Sequence, residues 1–151
     1  YSAGHTCPSA CRIPKIPGMP AVKVKNGSSG ITLNWSATGN AKSYIVYRSV
    51  LSGSNWSKWS VIKKGVTTTS YVDTTVKSNT NYTYYITSYV GKDESAKSKI
   101  LSVKYIATPK ISSITRVDNK VTLKWKKVTG AQGYYIYYRA PGSNYKKIKK
   151  Y

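Results

Sequence analysis

The sequence predicts an all-β protein built as tandem β-sandwiches, the second of them incomplete. Three observations carry this. Apolar and polar residues alternate with period two in short runs such as Ile31-Thr32-Leu33-Asn34-Trp35, the pattern of a strand with one buried face. Turn-forming residues separate these runs at a spacing of roughly ten residues, and no window shows the stripe of an amphipathic helix. The pattern also recurs: Val121-Thr122-Leu123-Lys124-Trp125 repeats the first run at an offset of 90.

Taken in order, residues 1–16 lack periodicity, and Pro14, Pro17 and Pro20 give a stiff, extended exit. This stretch reads as an irregular tail or the end of a preceding module. A sandwich domain is expected over 17–107 and a partial second one over 108–151. In the first, strands are expected at 31–35, 44–48, 59–62, 69–72, 82–89 and 100–106. Asn26-Gly27, Thr38-Gly39-Asn40, Ser52-Gly53-Ser54-Asn55, Lys77-Ser78-Asn79 and Gly91-Lys92-Asp93 supply the turns. A Tyr-rich strand follows each tryptophan of the repeat, Tyr44-Ile45-Val46-Tyr47 and Tyr134-Tyr135-Ile136-Tyr137. The offset falls to 86 where Trp59-Ser60-Val61-Ile62 lies over Tyr145-Lys146-Lys147-Ile148, so the first copy carries an insertion in the loop containing Trp56.

The second copy offers strands at 112–117, 120–125, 134–139 and 145–150. A sandwich of this type needs about seven. With the counterparts of 69–72, 82–89 and 100–106 lacking, Leu123, Trp125 and Ile136 are expected to face no opposing sheet. Completion would come from further chain after residue 151 or from strands donated by another chain.

Thr69-Ser70-Tyr71-Val72-Asp73-Thr74 followed by Val76-Lys77-Ser78-Asn79-Thr80-Asn81-Tyr82-Thr83-Tyr84-Tyr85-Ile86 resembles the E strand, E–F loop and F strand of the fibronectin type III domain, an immunoglobulin-like sandwich, especially its bacterial extracellular versions. The resemblance spans 17–107 in full and 110–151 in part. It implies that Tyr82 is the tyrosine-corner residue, its hydroxyl bonded to the loop backbone. It implies that Trp35 and Trp125 are the buried strand-B tryptophans, and that Ala41-Lys42-Ser43-Tyr44 and Ala131-Gln132-Gly133-Tyr134 enter strand C. The function it implies is generic, an extracellular spacer or binding scaffold.

Strand parity then sorts the side chains. With Ile31, Leu33 and Trp35 facing the core, Tyr44, Val46, Tyr82, Tyr84 and Ile86 face it too. Strands C and F are neighbours in this family, so Ile45, Tyr47, Tyr85 and Tyr89 fall on the outer face of one sheet, joined by Lys104. The second copy repeats the device with Tyr135, Tyr137 and Arg139. Such a Tyr/Lys face suits stacking on sugar rings or adhesion, while cross-strand tyrosine pairs also serve simply to stabilise a sheet. Trp56-Ser57-Lys58-Trp59-Ser60 is similar to the WSxWS signature of haematopoietic cytokine receptors, whose tryptophans interleave with arginines on strand F. Here it falls between strands C and C′ and 82–89 holds no arginine, so the match reads as coincidence. Trp59 reads as a packing residue, and Trp56 as either an exposed contact or a cover over the sheet edge. Four N-x-[ST] sequons, at Asn26, Asn34, Asn55 and Asn81, read as chance in a chain this rich in Asn, Ser and Thr.

Composition limits the function. The chain of 151 residues has 25 Lys and Arg against 4 Asp and Glu, a formal charge of +21, with a single His. That scarcity leaves catalysis without candidate residues: His5 is remote in sequence from Asp73, Asp93 and Asp118, and no paired-carboxylate, phosphate-loop or metal-ligand pattern occurs. No cofactor and no metal site is expected. Cys7 and Cys11 suit a local disulfide or two plain thiols better than metal, since with His5 they give three ligands, one short of a closed zinc site. No apolar run approaches the ~18 residues of a membrane span. The charge calls for polyanionic partners, while Lys on exposed β edges also discourages edge-to-edge pairing. Nucleic acid is disfavoured because no nucleic-acid module motif appears. The reading is therefore a non-catalytic, secreted, cell-surface module of a bacterial surface protein or filament, structural or adhesive, associating with protein or with itself. Its alternatives are a binding module for anionic cell-wall polymers or polysaccharide, and an accessory segment of a secreted hydrolase.

Overall fold

A computed structural model describes residues 16–150. His5, Cys7 and Cys11, and with them the expected disulfide, lie outside the described residues. Thirteen strands and no helix occur among the described residues, so none of these contains a helix long and apolar enough to cross a membrane.

Strands β1 (Val22–Asn26), β2 (Ile31–Trp35) and β6 (Ser70–Asp73) form an antiparallel three-stranded sheet in the order β1-β2-β6. Register places Val24 opposite Leu33, Leu33 opposite Tyr71, and Ile31 opposite Asp73, so one face carries the apolar residues of all three strands. The start of β2 approaches β6 very closely at Gly30, where a Cβ would lie 2.1 Å from the Asp73 carbonyl oxygen. Only glycine fits there.

The larger sheet contains β3 (Ser43–Ser52), β4 (Asn55–Trp56), β5 (Ser60–Val66), β7 (Thr80–Val90), β8 (Asp93–Glu94) and β9 (Leu101–Tyr105). Its long central strands β3 and β7 pair antiparallel, with Val46 opposite Ile86 and Tyr47 opposite Tyr85. The β5 strand covers the other edge of β3, and β8 and β9 pair with β7. Between the sheets Ile31, Leu33, Trp35, Tyr44, Val46, Val66, Tyr82, Tyr84, Ile86 and Tyr105 form one buried cluster, with the parity that alternation predicts. Lys77 donates its backbone N–H to the Tyr82 hydroxyl at 2.7 Å, closing the corner before β7.

One polar network crosses this core. Asp73, fully buried at the end of β6, accepts from Arg48 Nη1 at 2.8 Å, from the Tyr84 hydroxyl at 2.9 Å, and from the Thr75 backbone and hydroxyl at 3.0 and 2.7 Å. Arg48 also donates to the Thr75 hydroxyl, and its guanidinium lies 5.5 Å from the Tyr82 ring centroid. Burial by itself would raise the Asp73 carboxyl. The hydrogen bonds from Thr75, Arg48 and Tyr84 outweigh that and hold it below its ordinary value. Burial and the negative charge of Asp73 push the Tyr84 phenol far upward.

The second repeat reproduces local geometry of the first. Trp35 meets Tyr44 edge-on at 5.3 Å and 66°, and Trp125 meets Tyr134 at 5.4 Å and 66°. Each tyrosine hydroxyl accepts a backbone N–H from six residues earlier, Thr38 at 3.2 Å and Val128 at 2.7 Å. Strands β10 (Ile111–Val117) and β11 (Lys120–Trp125) form one hairpin, and β12 (Tyr135–Tyr138) and β13 (Lys146–Lys150) form another. Between them an open apolar groove of about 270 Å³ exposes Leu123, Trp125 and Ile136. Trp125 is therefore half-buried where Trp35 is buried. Ser78 links the repeats. The Ser78 hydroxyl accepts from the Ala107 N–H at 2.9 Å and donates to the Thr129 carbonyl at 2.8 Å. Beside it Gly130, at φ +83°, lies so close to Asn79 that a Cβ would sit 2.5 Å from its side-chain oxygen.

Two outcomes follow for stability. Trp35→Ala removes a buried indole in phase with Ile31 and Leu33, and should cost about 3–5 kcal/mol in urea unfolding. The Asp73 carboxyl is lower in the fold than unfolded, so its stabilisation is present above about pH 4 and is lost as pH falls through the folded value. Urea midpoints measured from neutral to acid pH should fall, and Asp73→Asn should flatten that fall. An unaltered profile in Asp73→Asn would overturn the assignment of the acid sensitivity to this carboxyl.

Candidate functional site

The outer face of the larger sheet holds an aromatic cluster set by strand register. Tyr47 and Tyr85, directly opposed on β3 and β7, stack with centroids 4.4 Å apart and 16° between planes. Trp59 meets the Tyr85 ring edge-on at 4.6 Å. Lys97 places its ammonium 5.2 Å from the same ring centroid. Under these neighbours Tyr85 retains only 5% of its surface. The residue expected to stand on the outer face is therefore the buried base of a ring stack.

Serines aim the two flanking segments. Ser57 accepts the Val50 N–H on its hydroxyl at 3.0 Å and bonds the Val50 carbonyl through its own N–H at 2.9 Å. The Ser49 hydroxyl donates to the Ser57 carbonyl, and that of Ser60 to the Arg48 carbonyl. These bonds hold 57–60 along β3 and fix Trp59 over Tyr85. On the other side, Ser95 and Ser98 take the Ser88 and Ile86 N–H groups on their hydroxyls at 3.0 and 2.9 Å. Side-chain oxygens thus replace ladder carbonyls between β8 and β9. The bulge so formed carries Lys97 over the ring.

Glu94 completes the cluster. It accepts from the Tyr47 hydroxyl at 2.9 Å and the Thr87 hydroxyl at 2.6 Å. Burial, then the Glu94 hydrogen bond and charge, push the Tyr47 phenol up to about 12. Burial likewise raises that of Tyr85.

The other expected face residues lie apart from this cluster. Trp56, in β4 opposite Leu51, lines a shallow cleft with Trp59 and is 46% exposed. Tyr89 is half-buried near the turn to β8, and Lys104 lies on β9 opposite Asn81, four register positions from Tyr85. In the second repeat Tyr135 and Tyr137 are exposed on β12. Lys147 sits 4.2 Å over the Tyr135 ring, and Arg139 lies 5.0 Å over Tyr145. Sequence reasoning did not single out Lys97, Glu94 or Ser57 for this face. The pair Ser95 and Ser98 beside a predicted strand was the signal for the bulge that presents Lys97.

Because Tyr47 is held neutral in the fold, its contribution to stability is present below about pH 10 and lost as pH rises through about 12. The phenolate absorbance difference between the protein and Tyr47→Phe should show this late ionisation, and Glu94→Ala should move it down toward 10. No change in Glu94→Ala would show that burial alone sets it.

No protein-family model matches the chain, and neither does any curated protein. Among solved structures the chain is similar to an Fn3-like protein from Clostridium thermocellum, with 32% identity and a TM-score of 0.51 over 59% of this chain and 93% of that one. It is also similar to a human FNIII domain, the fourth, with 25% identity and a TM-score of 0.47 over 72% of this chain and 91% of that one. The bacterial relative is matched over nearly its whole length at 32% identity: the chain belongs to the fibronectin type III family.

Proposed function

We propose that the chain is a non-catalytic module of a secreted, cell-surface protein of bacterial type, and that it adheres to anionic polymers of cell-wall or acidic-glycan chemistry. The observation that carries this is its unneutralised charge. All four acids fall among the described residues, and among these residues Arg48–Asp73 is the one ion pair. Asp73 is spent inside the core and Glu94 on hydroxyl donors. Among the described residues the other cations whose exposure is defined face water, and eleven of the 25 lie between residues 110 and 151, where Asp118 is the one acid. Family membership supports a module rather than an enzyme.

A second reading, self-association within a surface filament, is supported by the open groove between the β10–β11 and β12–β13 hairpins, where Ile111, Leu123 and Tyr137 stand without an opposing sheet.

The adhesive reading is tested on a heparin-type or teichoic-acid matrix. Attraction between exposed charges reaches about 30 Å at 0.01 M salt and about 3 Å at 1 M. The protein should be retained at low ionic strength and released as salt rises. Elution indifferent to salt would overturn it.

A further inference from the structure

We propose that the β12–β13 hairpin is where the anionic polymer docks: Lys147, Lys150 and Arg139, each carried on a tyrosine ring, hold a linear polyanion by its row of charged groups. This deepens the polyanion reading and rests on it.

Strand geometry gathers these cations. In an unbroken strand, residues three apart point to opposite faces. In β13 the register slips: Tyr137 pairs with Lys147 and Ile136 with Lys149, so Ile148 is an extra residue without a partner in the ladder. A bulge of this kind re-aims the side chains around it. Lys147 and Lys150 consequently meet at one ring, their ammonium groups 4.2 and 5.8 Å from the Tyr135 centroid. At the other end of the hairpin Arg139 lies 5.0 Å over Tyr145. The supporting rings are themselves open to solvent, Tyr135 at 51% and Tyr145 at 66%.

Nothing among the described residues neutralises these cations. None of the three takes part in an ion pair there, and the one acid of the second repeat, Asp118, stands in the turn of the other hairpin. Two ammonium groups held at one ring repel, and an anion that joins them relieves the repulsion. Cation–π contact positions a charge without cancelling it. The fold does not require this arrangement. At the repeat offsets the first sandwich has Ile45 where the second has Tyr135, and Val61 where it has Lys147. The corresponding hairpin, β3–β5, pairs without them.

Charge rather than ring stacking selects the partner. Single-stranded nucleic acid binds by laying bases on open aromatic faces, and here cations already stand over Tyr135 and Tyr145. The hairpin offers a line of positioned cations, which suits the spaced phosphates or carboxylates of a flexible extracellular polymer.

The experiment titrates the full chain, its Lys147→Gln/Lys150→Gln variant and a Lys63→Gln/Lys64→Gln control at fixed low salt. Both variants lose two exposed charges, one pair from β13 and the other from β5. The probes are polyglycerol phosphate, polygalacturonate and oligothymidylate. The hairpin variant should bind the first two roughly tenfold more weakly, the loss of two exposed ion pairs, while the control stays within about threefold of wild type. Whichever of the two polymers binds wild type more tightly identifies the anion as phosphate or carboxylate. The substituted lysines are exposed, so both variants should keep the wild-type circular dichroism, and Lys147→Arg/Lys150→Arg should keep the affinity. Equal weakening in the two Gln variants, or none in either, would overturn the hairpin site and leave the electrostatic reading standing. Oligothymidylate binding more tightly than both polymers would overturn the choice of partner. Failure of wild type to bind any of the three would overturn the electrostatic reading itself.

Discussion

Two sheets pressed together by apolar contact alone are free to slide, and in this molecule the Asp73 carboxylate prevents it. It hangs from the last residue of β6 in the smaller sheet and takes its donors from Arg48 on β3 and Tyr84 on β7 in the larger one. Isolated buried charge is costly, and here four donors and a full countercharge offset the loss of water. Its position depends in turn on Gly30, whose missing side chain lets β2 and β6 meet at Asp73. Arg48 then leans over Tyr82, the residue that closes the loop ahead of β7. Glycine, carboxylate, guanidinium and phenol thus form one line of dependence from the smaller sheet to the central strand of the larger.

Much of this was legible from the sequence because period-two alternation reports which face of a strand is wet. The strand expectation at 82–89 lies within β7 (Thr80–Val90), and that at 120–125 coincides with β11. The core parity of Ile31, Leu33, Trp35, Tyr44 and Val46 also followed. Alternation is silent where both faces of a strand are covered. Residues 82–88 are buried throughout, because the 95–98 bulge and Trp59 lie over the side that alternation assigns to solvent. Tyr85 therefore looked like a surface residue and is a foundation. Short pairings such as β4 and β8 carry too few residues to show a period. Arg48 is in phase with the core-facing Tyr44 and Val46, but a half-buried cation is explained only by the carboxylate it meets across the core.

The two repeats divide the available polar chemistry unequally. The first carries three of the four acids and spends Asp73 on the core and Glu94 on hydroxyl partners. The second has Asp118 in the turn between β10 and β11, at φ 50°, and leaves its lysines over its own tyrosines. Cation–π contact at such exposed sites contributes about 0.5–1 kcal/mol and leaves the charge available to a partner. Positive charge is thus spread along the chain and thickens toward its end, while rings and hydroxyls are concentrated on one face of the first repeat.

The Ser78 contact has a mechanical meaning. Ser78 sits in the loop that Tyr82 closes, and Tyr82 opens the buried run of β7. A pull applied to residues 108–150 reaches the first sandwich through the Ser78–Thr129 bond and the packed Asn79–Gly130 pair as well as through the short junction at Ala107. Ser78 stands just before Thr80, the first residue of β7, and β7 is laddered to β3 on one side and β9 on the other. One serine hydroxyl thus ties the second repeat to the loop that precedes the longest strand of the first.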